Sequence, residues 1–195
     1  MAQVYSQNAV GYINLSIPSG FSMIANQLVA PSYTLNALIP NPPPGTQVFK
    51  FSNVSGYSSS TFDEFDLVWS PNGNATLGLG SGAFINATAA FTLTFVGEVP
   101  QGSPITPSTP TPTGFSIVSS QVPQAGKVST DLKLTAGPGD TVFRFSNASG
   151  YSSANFDEFD LVWSPSEPSV NVGEAFFLLR QSGSPATWSR TFNVN

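Results

Sequence analysis

The sequence predicts an all-β protein built from two tandem homologous β-sandwich or barrel-like domains. Three observations carry that expectation. A long block is written twice, the apolar runs are short and alternating, and no window sustains a 3.6-residue apolar stripe with caps. The block VFKFSNVSGYSSSTFDEFDLVWSP (Val48 to Pro71) returns 94 residues later as VFRFSNASGYSSANFDEFDLVWSP (Val142 to Pro165), identical at 20 of 24 positions. A period this long suits an independent domain better than a solenoid unit. The domains are accordingly placed at 1–100 and 101–195.

Taken in order, Tyr12-Ile13-Asn14-Leu15-Ser16-Ile17 alternates like a strand and stops at Pro18. Gly20-Phe21-Ser22-Met23-Ile24 is the next run, matched at the same offset by Gly114-Phe115-Ser116-Ile117-Val118, as Gln27 is by Gln121. Ser32–Leu38 and Ser129–Leu134 can each form one turn of helix. Val48–Ser52 and Phe91–Phe95 alternate again. Gly80–Phe84 aligns with Gly173–Phe177, and Thr94-Phe95 with Thr191-Phe192. The segment 103–113 is dense in proline, which cannot donate to a central ladder. It reads as a linker. Yet it stands where Val10–Pro18 stands in the first half, so the second half is expected to lack that leading strand.

Only 9% of the residues are charged, the net charge is −5, and there is no histidine or cysteine. The six scattered basic residues exclude a phosphate-backbone binder, so no nucleic-acid partner is expected. The missing imidazole and thiol remove the commonest general base, thiol nucleophiles, disulfides and the usual zinc ligands. No run approaches the length of a membrane-spanning helix. The first residues carry no basic n-region and no apolar h-region. A composition rich in Ser, Thr, Asn, Gly and Pro points to a secreted or cell-surface chain whose signal peptide was trimmed.

Six of the eleven acids fall in the two copies of one motif: Asp63, Glu64 and Asp66, and Asp157, Glu158 and Asp160. Three carboxylates within four positions suit a hard cation such as Ca²⁺, although the spacing matches no EF-hand loop. Two carboxylates could also serve glycoside hydrolysis, with Asp63 and Asp157 as the residues to test. The structural alternative has Phe62, Phe65, Leu67 and Trp69 anchoring a turn and strand in the core, while the acids meet solvent or backbone amides. A fourth reading takes the duplicated rings Tyr57, Tyr151, Trp69 and Trp163 as a sugar platform, with Tyr57 and Tyr151 the more exposed. Five Asn-X-Ser/Thr sequons begin at Asn14, Asn53, Asn74, Asn86 and Asn147. In so Asn- and Ser-rich a chain they carry little weight.

The segments Ala9-Val10-Gly11-Tyr12, Gly20 to Leu28 and Gly45 to Phe51 resemble those of uncharacterised exported repeat proteins of Verrucomicrobia and Planctomycetes. So do Thr94 to Ser103 and Val172 to Phe177. The resemblance implies export and a β-rich fold, and it supplies no catalytic residues. Gly80-Ser81-Gly82 departs from Gly173-Glu174-Ala175, so a role for Glu174 cannot apply to both halves.

The first functional expectation is therefore a non-catalytic extracellular structural or adhesive protein, self-associating by strand pairing of Val10–Ile17 with the second domain of the same or a neighbouring chain. The alternative is a carbohydrate-binding module that takes a polysaccharide. A carboxylate glycosidase is third. No cofactor other than Ca²⁺ is expected.

Overall fold

The computed structural model describes residues 9–181 and 183–194. The protein is all-β, and its main elements are two five-stranded antiparallel sheets, one in each half. The first half contains β1 (Val10–Ile17), β2 (Gly20–Ile24), the single helical turn α1 (Leu35–Leu38), β3 (Gln47–Ser52), β4 (Gly56–Phe62), β5 (Trp69–Ser70), β6 (Ala83–Ala87) and β7 (Phe91–Glu98). The second contains β8 (Thr109–Pro110), β9 (Gly114–Val118), β10 (Gly126–Lys127), β11 (Thr141–Ser146), β12 (Gly150–Phe156), β13 (Trp163–Ser164), β14 (Ser169–Val170), β15 (Phe176–Arg180) and β16 (Thr187–Trp188). The sheet orders are β2-β6-β3-β4-β5 and β9-β15-β11-β12-β13, the same arrangement twice.

Each half is a small sandwich. In the first, the inward residues Ile24, Val48, Phe62 and Ile85 meet Ile13, Ile17, Leu93 and Phe95 of the two-stranded ribbon β1-β7. In the second, Val118, Val142, Phe176 and Leu178 enclose a core with Trp188 of β16. Successive strand residues point to opposite faces. Here the second face is apolar as well: Met23, Phe84, Phe49 and Phe51 of one sheet pack on Ile117, Phe177, Phe143 and Phe145 of the other. The molecule is thus ribbon on sheet on sheet on ribbon, and its buried phenylalanines serve two kinds of interface.

The halves are related by an approximate two-fold axis. Ala25 N–H donates to Gly173 O at 2.9 Å, and its counterpart Ser119 N–H donates to Gly80 O at 2.9 Å. Ile24 bridges Glu174 just as Val118 bridges Ser81. Edge strands β2 and β9 are thereby capped by the opposite half. Near the axis Gly82 lies so close to Ala175 and Ile117 that a side chain there would collide with both.

Several expectations need correction. Segment 103–113 is no free linker: Ile105, Thr109 and Thr111 are buried, Ile105 N–H donates to Arg190 O at 2.9 Å, and Thr111 N–H donates to Ala186 O at 2.7 Å. Nor is the leading strand missing from the second half. Thr109 pairs with Trp188 as Leu15 pairs with Leu93, in a strand cut to two residues by its prolines. That pairing makes Trp188 the counterpart of Leu93 and displaces the alignment of Thr94-Phe95 with Thr191-Phe192, since Phe192 bridges Gly102 instead. Val10–Ile17 does not pair with the second half. It runs antiparallel to Phe91–Glu98 over its full length, because its apolar odd-numbered residues belong to the first core. Ser129–Leu134 forms turns rather than helix.

Candidate binding surface

The two copies of the repeated block bring Tyr57 and Tyr151 together. Each leads its strand after a tight hairpin, Ser52 to Gly56 or Ser146 to Gly150, whose glycine has φ +73°. On β4, Tyr57 faces the opposite half, while Ser60 and Phe62 face their own core. Tyr57 stands edge-on to Phe51 at 5.1 Å and Tyr151 edge-on to Phe145 at 5.2 Å. Across the axis Phe51 meets Phe177 at 5.5 Å and Phe84 meets Phe145 at 5.3 Å, again edge to face. That geometry satisfies the ring quadrupoles.

Beside these contacts lies an aromatic trough. One pocket of about 320 Å³ is lined by Phe21, Phe49, Tyr57, Phe84, Phe145 and Tyr151. Its pseudo-symmetric partner, about 290 Å³, is lined by Phe51, Phe115, Phe143, Tyr151 and Phe177. Tyr57 and Tyr151 remain 54% and 55% exposed, so their rings and hydroxyls are accessible. Partial burial pushes both phenols above their ordinary pKa, and Tyr57 is raised further by the neighbouring Tyr151. Apart from these tyrosines the lining carries no ionisable group.

The indoles do not join this surface. Trp69 and Trp163 are 5% and 9% exposed, stacked edge-on to Phe62 and Phe156 in the two cores. Their ring N–H groups donate to Ile39 O at 2.8 Å and Ser129 Oγ at 3.1 Å. Burial with a satisfied N–H makes them core residues, which corrects their assignment to a sugar platform.

The acidic motifs lie at the far end of β4 and β12. Six residues of extended strand put Asp63 roughly 20 Å from Tyr57, so ring and carboxylates do not form one platform. Asp63 Oδ1 accepts the N–H groups of Phe65 (2.7 Å) and Asp66 (2.9 Å), and Asp157 does the same for Phe159 and Asp160. Those bonds hold both carboxyls below their usual pKa. Asp63 N–H donates to Val68 O at 2.8 Å, closing a loop that projects Glu64 to Val68 outward, with Leu67 at φ +54°. Phe65 and Leu67 are therefore exposed rather than core, and so are Phe159 and Leu161; both phenylalanines are 91% exposed. Among the described residues no group of three or more Asp or Glu could hold a metal ion, so Asp63, Glu64 and Asp66, like Asp157, Glu158 and Asp160, do not converge on one point.

Other charged groups hold the fold. Glu174 forms a bidentate pair with Arg144 and accepts Asn171 N–H at 2.9 Å. Its counterpart Ser81 leaves Lys50 without that partner, and burial lowers the Lys50 pKa. Sequon residues Asn53 and Asn147 have their side-chain amides in hydrogen bonds that clasp the opposite half.

No helix among the described residues is long and apolar enough to cross a membrane. Comparisons with protein-family models, curated proteins and solved structures yield no match.

Proposed function

We propose that the protein is a non-catalytic extracellular adhesive module that holds an uncharged polysaccharide chain in the aromatic trough. One observation carries this reading: the two halves jointly build a continuous apolar surface with Tyr57 and Tyr151 half-exposed at its centre. Ring faces stack on the apolar faces of pyranose units, and the two phenolic hydroxyls can donate to or accept from sugar hydroxyls. A lining without fixed charge disfavours an ionic partner, since a buried unpaired charge is costly. Two adjoining pockets of similar size suit a chain of repeating units. Engagement of Asp63 and Asp157 in turn geometry argues against the glycosidase alternative.

The test is retention on a panel of insoluble neutral polysaccharides. The intact protein is expected to be retained without release of reducing sugar, and Tyr57→Ala plus Tyr151→Ala to weaken retention by about tenfold or more, as for central aromatic anchors elsewhere. Unchanged retention in that variant overturns the trough as the site. A second reading, adhesion through the loop tips, is favoured by the exposure of Phe65 and Phe159 on identical loops. The same assay separates the two, because Phe65→Ser plus Phe159→Ser would then abolish retention while the tyrosine variant kept it.

A further inference from the structure

We propose that Lys50 anchors a second, smaller site beside the first core, one that binds a short-chain carboxylate. The inference does not rest on the trough. On β3, Phe49 and Phe51 face the other half, whereas Lys50 turns with Val48 to the opposite side of the sheet. There it lines a pocket of about 150 Å³ together with Leu35, Ser58, Ser60, Pro71 and Ala75.

The charge of Lys50 is unanswered. Among the described residues its ammonium has neither an ion pair nor a hydrogen bond. The other cations set against the interior have partners: Arg180 has Asp140, and Arg190 has Ser120 and Gln124. Arg144, which holds the place of Lys50 in the second copy, has Glu174 at 2.8 Å. The first half has Ser81 where the second has Glu174, so the carboxylate that one copy supplies to this position is missing from the other. The pocket is also where the copies diverge. Of the four differences within the repeated block, Lys50 against Arg144 and Ser60 against Ala154 both fall on its lining. Burial lowers the Lys50 pKa, and a bound carboxylate would reverse that shift.

The rest of the lining selects the ligand. Lys50 and Ser58 stand opposite each other in the β3–β4 ladder, so their side chains share one face and can grip a single carboxylate. Ser60 Oγ–H donates to Asn72 O at 3.0 Å and keeps that wall in place. Leu35, Val48, Pro71 and Ala75 suit an alkyl tail. They disfavour phosphate or sulfate, whose remaining oxygens would lie against them without partners. At about 30 Å³ per water-sized group, the space takes roughly five non-hydrogen atoms, the size of propionate.

The probe is sodium propionate, titrated at constant ionic strength into the isotopically labelled intact protein and followed by amide chemical shifts. Saturable shifts centred on Lys50 and Ser58 to Ser60 are expected. Affinity should fall by about tenfold or more for neutral propionamide, and likewise for propionate with Lys50→Met, since each keeps the shape and removes a charge. Inorganic phosphate should bind more weakly than propionate. Lys50→Met should leave retention on polysaccharide unchanged, which separates this site from the trough. Absence of saturable shifts at the pocket, equal binding of propionamide, undiminished affinity in Lys50→Met, or phosphate binding as tight as propionate would each overturn the proposal.

Discussion

Asn147 of the second half closes over Gly20 of the first: its Nδ2 donates to Ser19 O at 3.0 Å and its Oδ1 accepts Phe21 N–H at 3.3 Å. Asn53 does the same around Gly114, donating to Thr113 O and accepting Phe115 N–H. Both glycines sit at positive φ, +96° and +90°, and a Cβ on either would run into the clasping amide. The hairpin of each copy thus grips the strand that begins the other sheet. That reciprocity explains why Asn and Gly recur at matching places in the two copies.

Removing the clasp is expected to destabilise the whole protein. Asn53→Ala and Asn147→Ala each forfeit two hydrogen bonds, about 1–2 kcal/mol per site. Chemical denaturation measures it, and a lowered midpoint is the expected outcome. Gly20→Ala and Gly114→Ala are expected to cost at least as much, through both strain and collision.

A buried ion pair distinguishes the halves. Arg180 Nη1 lies 2.6 Å from Asp140 Oδ2 with both side chains essentially inaccessible, and Asp140 also accepts Gly137 N–H, Gln181 N–H and Ser184 Oγ–H. The first half has Thr46 and Ala87 at these places, identified by the matching bonds Phe62 N–H to Thr46 O and Phe156 N–H to Asp140 O and by the pairings Ala87↔Gly20 and Arg180↔Gly114. Arg180→Ala strands a buried carboxylate and is expected to cost about 3–5 kcal/mol. Adding Asp140→Thr, which copies the first half, is expected to recover part of that loss. Thermal melts of the single and double variants check the order.

Acid is expected to weaken the turns. The carboxyls of Asp63 and Asp157 are held low by backbone N–H donors. Burial pushes Glu167 up, but Thr130, Ser129 and the nearby Lys127 outweigh it and hold its pKa low. Depressed folded-state values mean stability that is present above the ordinary carboxylate pKa of about 4 and lost as pH falls through the folded values. The melting temperature should therefore drop below that pH, and the drop should shrink in Asp63→Asn plus Asp157→Asn plus Glu167→Gln, which removes the titrating charge at these three positions.

Duplication and strand content were legible because identity at 20 of 24 positions and short bounded runs need no tertiary knowledge. The trough was not. Phe49 and Phe51 alternate with Val48, so both faces of β3 are apolar, a pattern that looks like one core until a second sheet is known to cover it. The excess of phenylalanine was the available signal. Trp69 was misplaced because exposure of an indole is set by where its strand ends, and the Asx turn at Asp63 reverses the chain so that Phe65 and Leu67 project while Trp69 returns inward. Proline hid β8, since Thr109 and Thr111 still reach Trp188 and Ala186 between residues that cannot donate.

Face-to-face packing of the two sheets is the relationship from which the trough follows, and Phe84 with Phe145 reports on it most directly. These rings belong to different halves and meet edge to face at 5.3 Å. A double-mutant cycle on Phe84→Leu and Phe145→Leu, read by denaturant unfolding, is predicted to show a coupling of about 1 kcal/mol. Additivity within about 0.3 kcal/mol, the behaviour of residues that do not touch, would contradict the account.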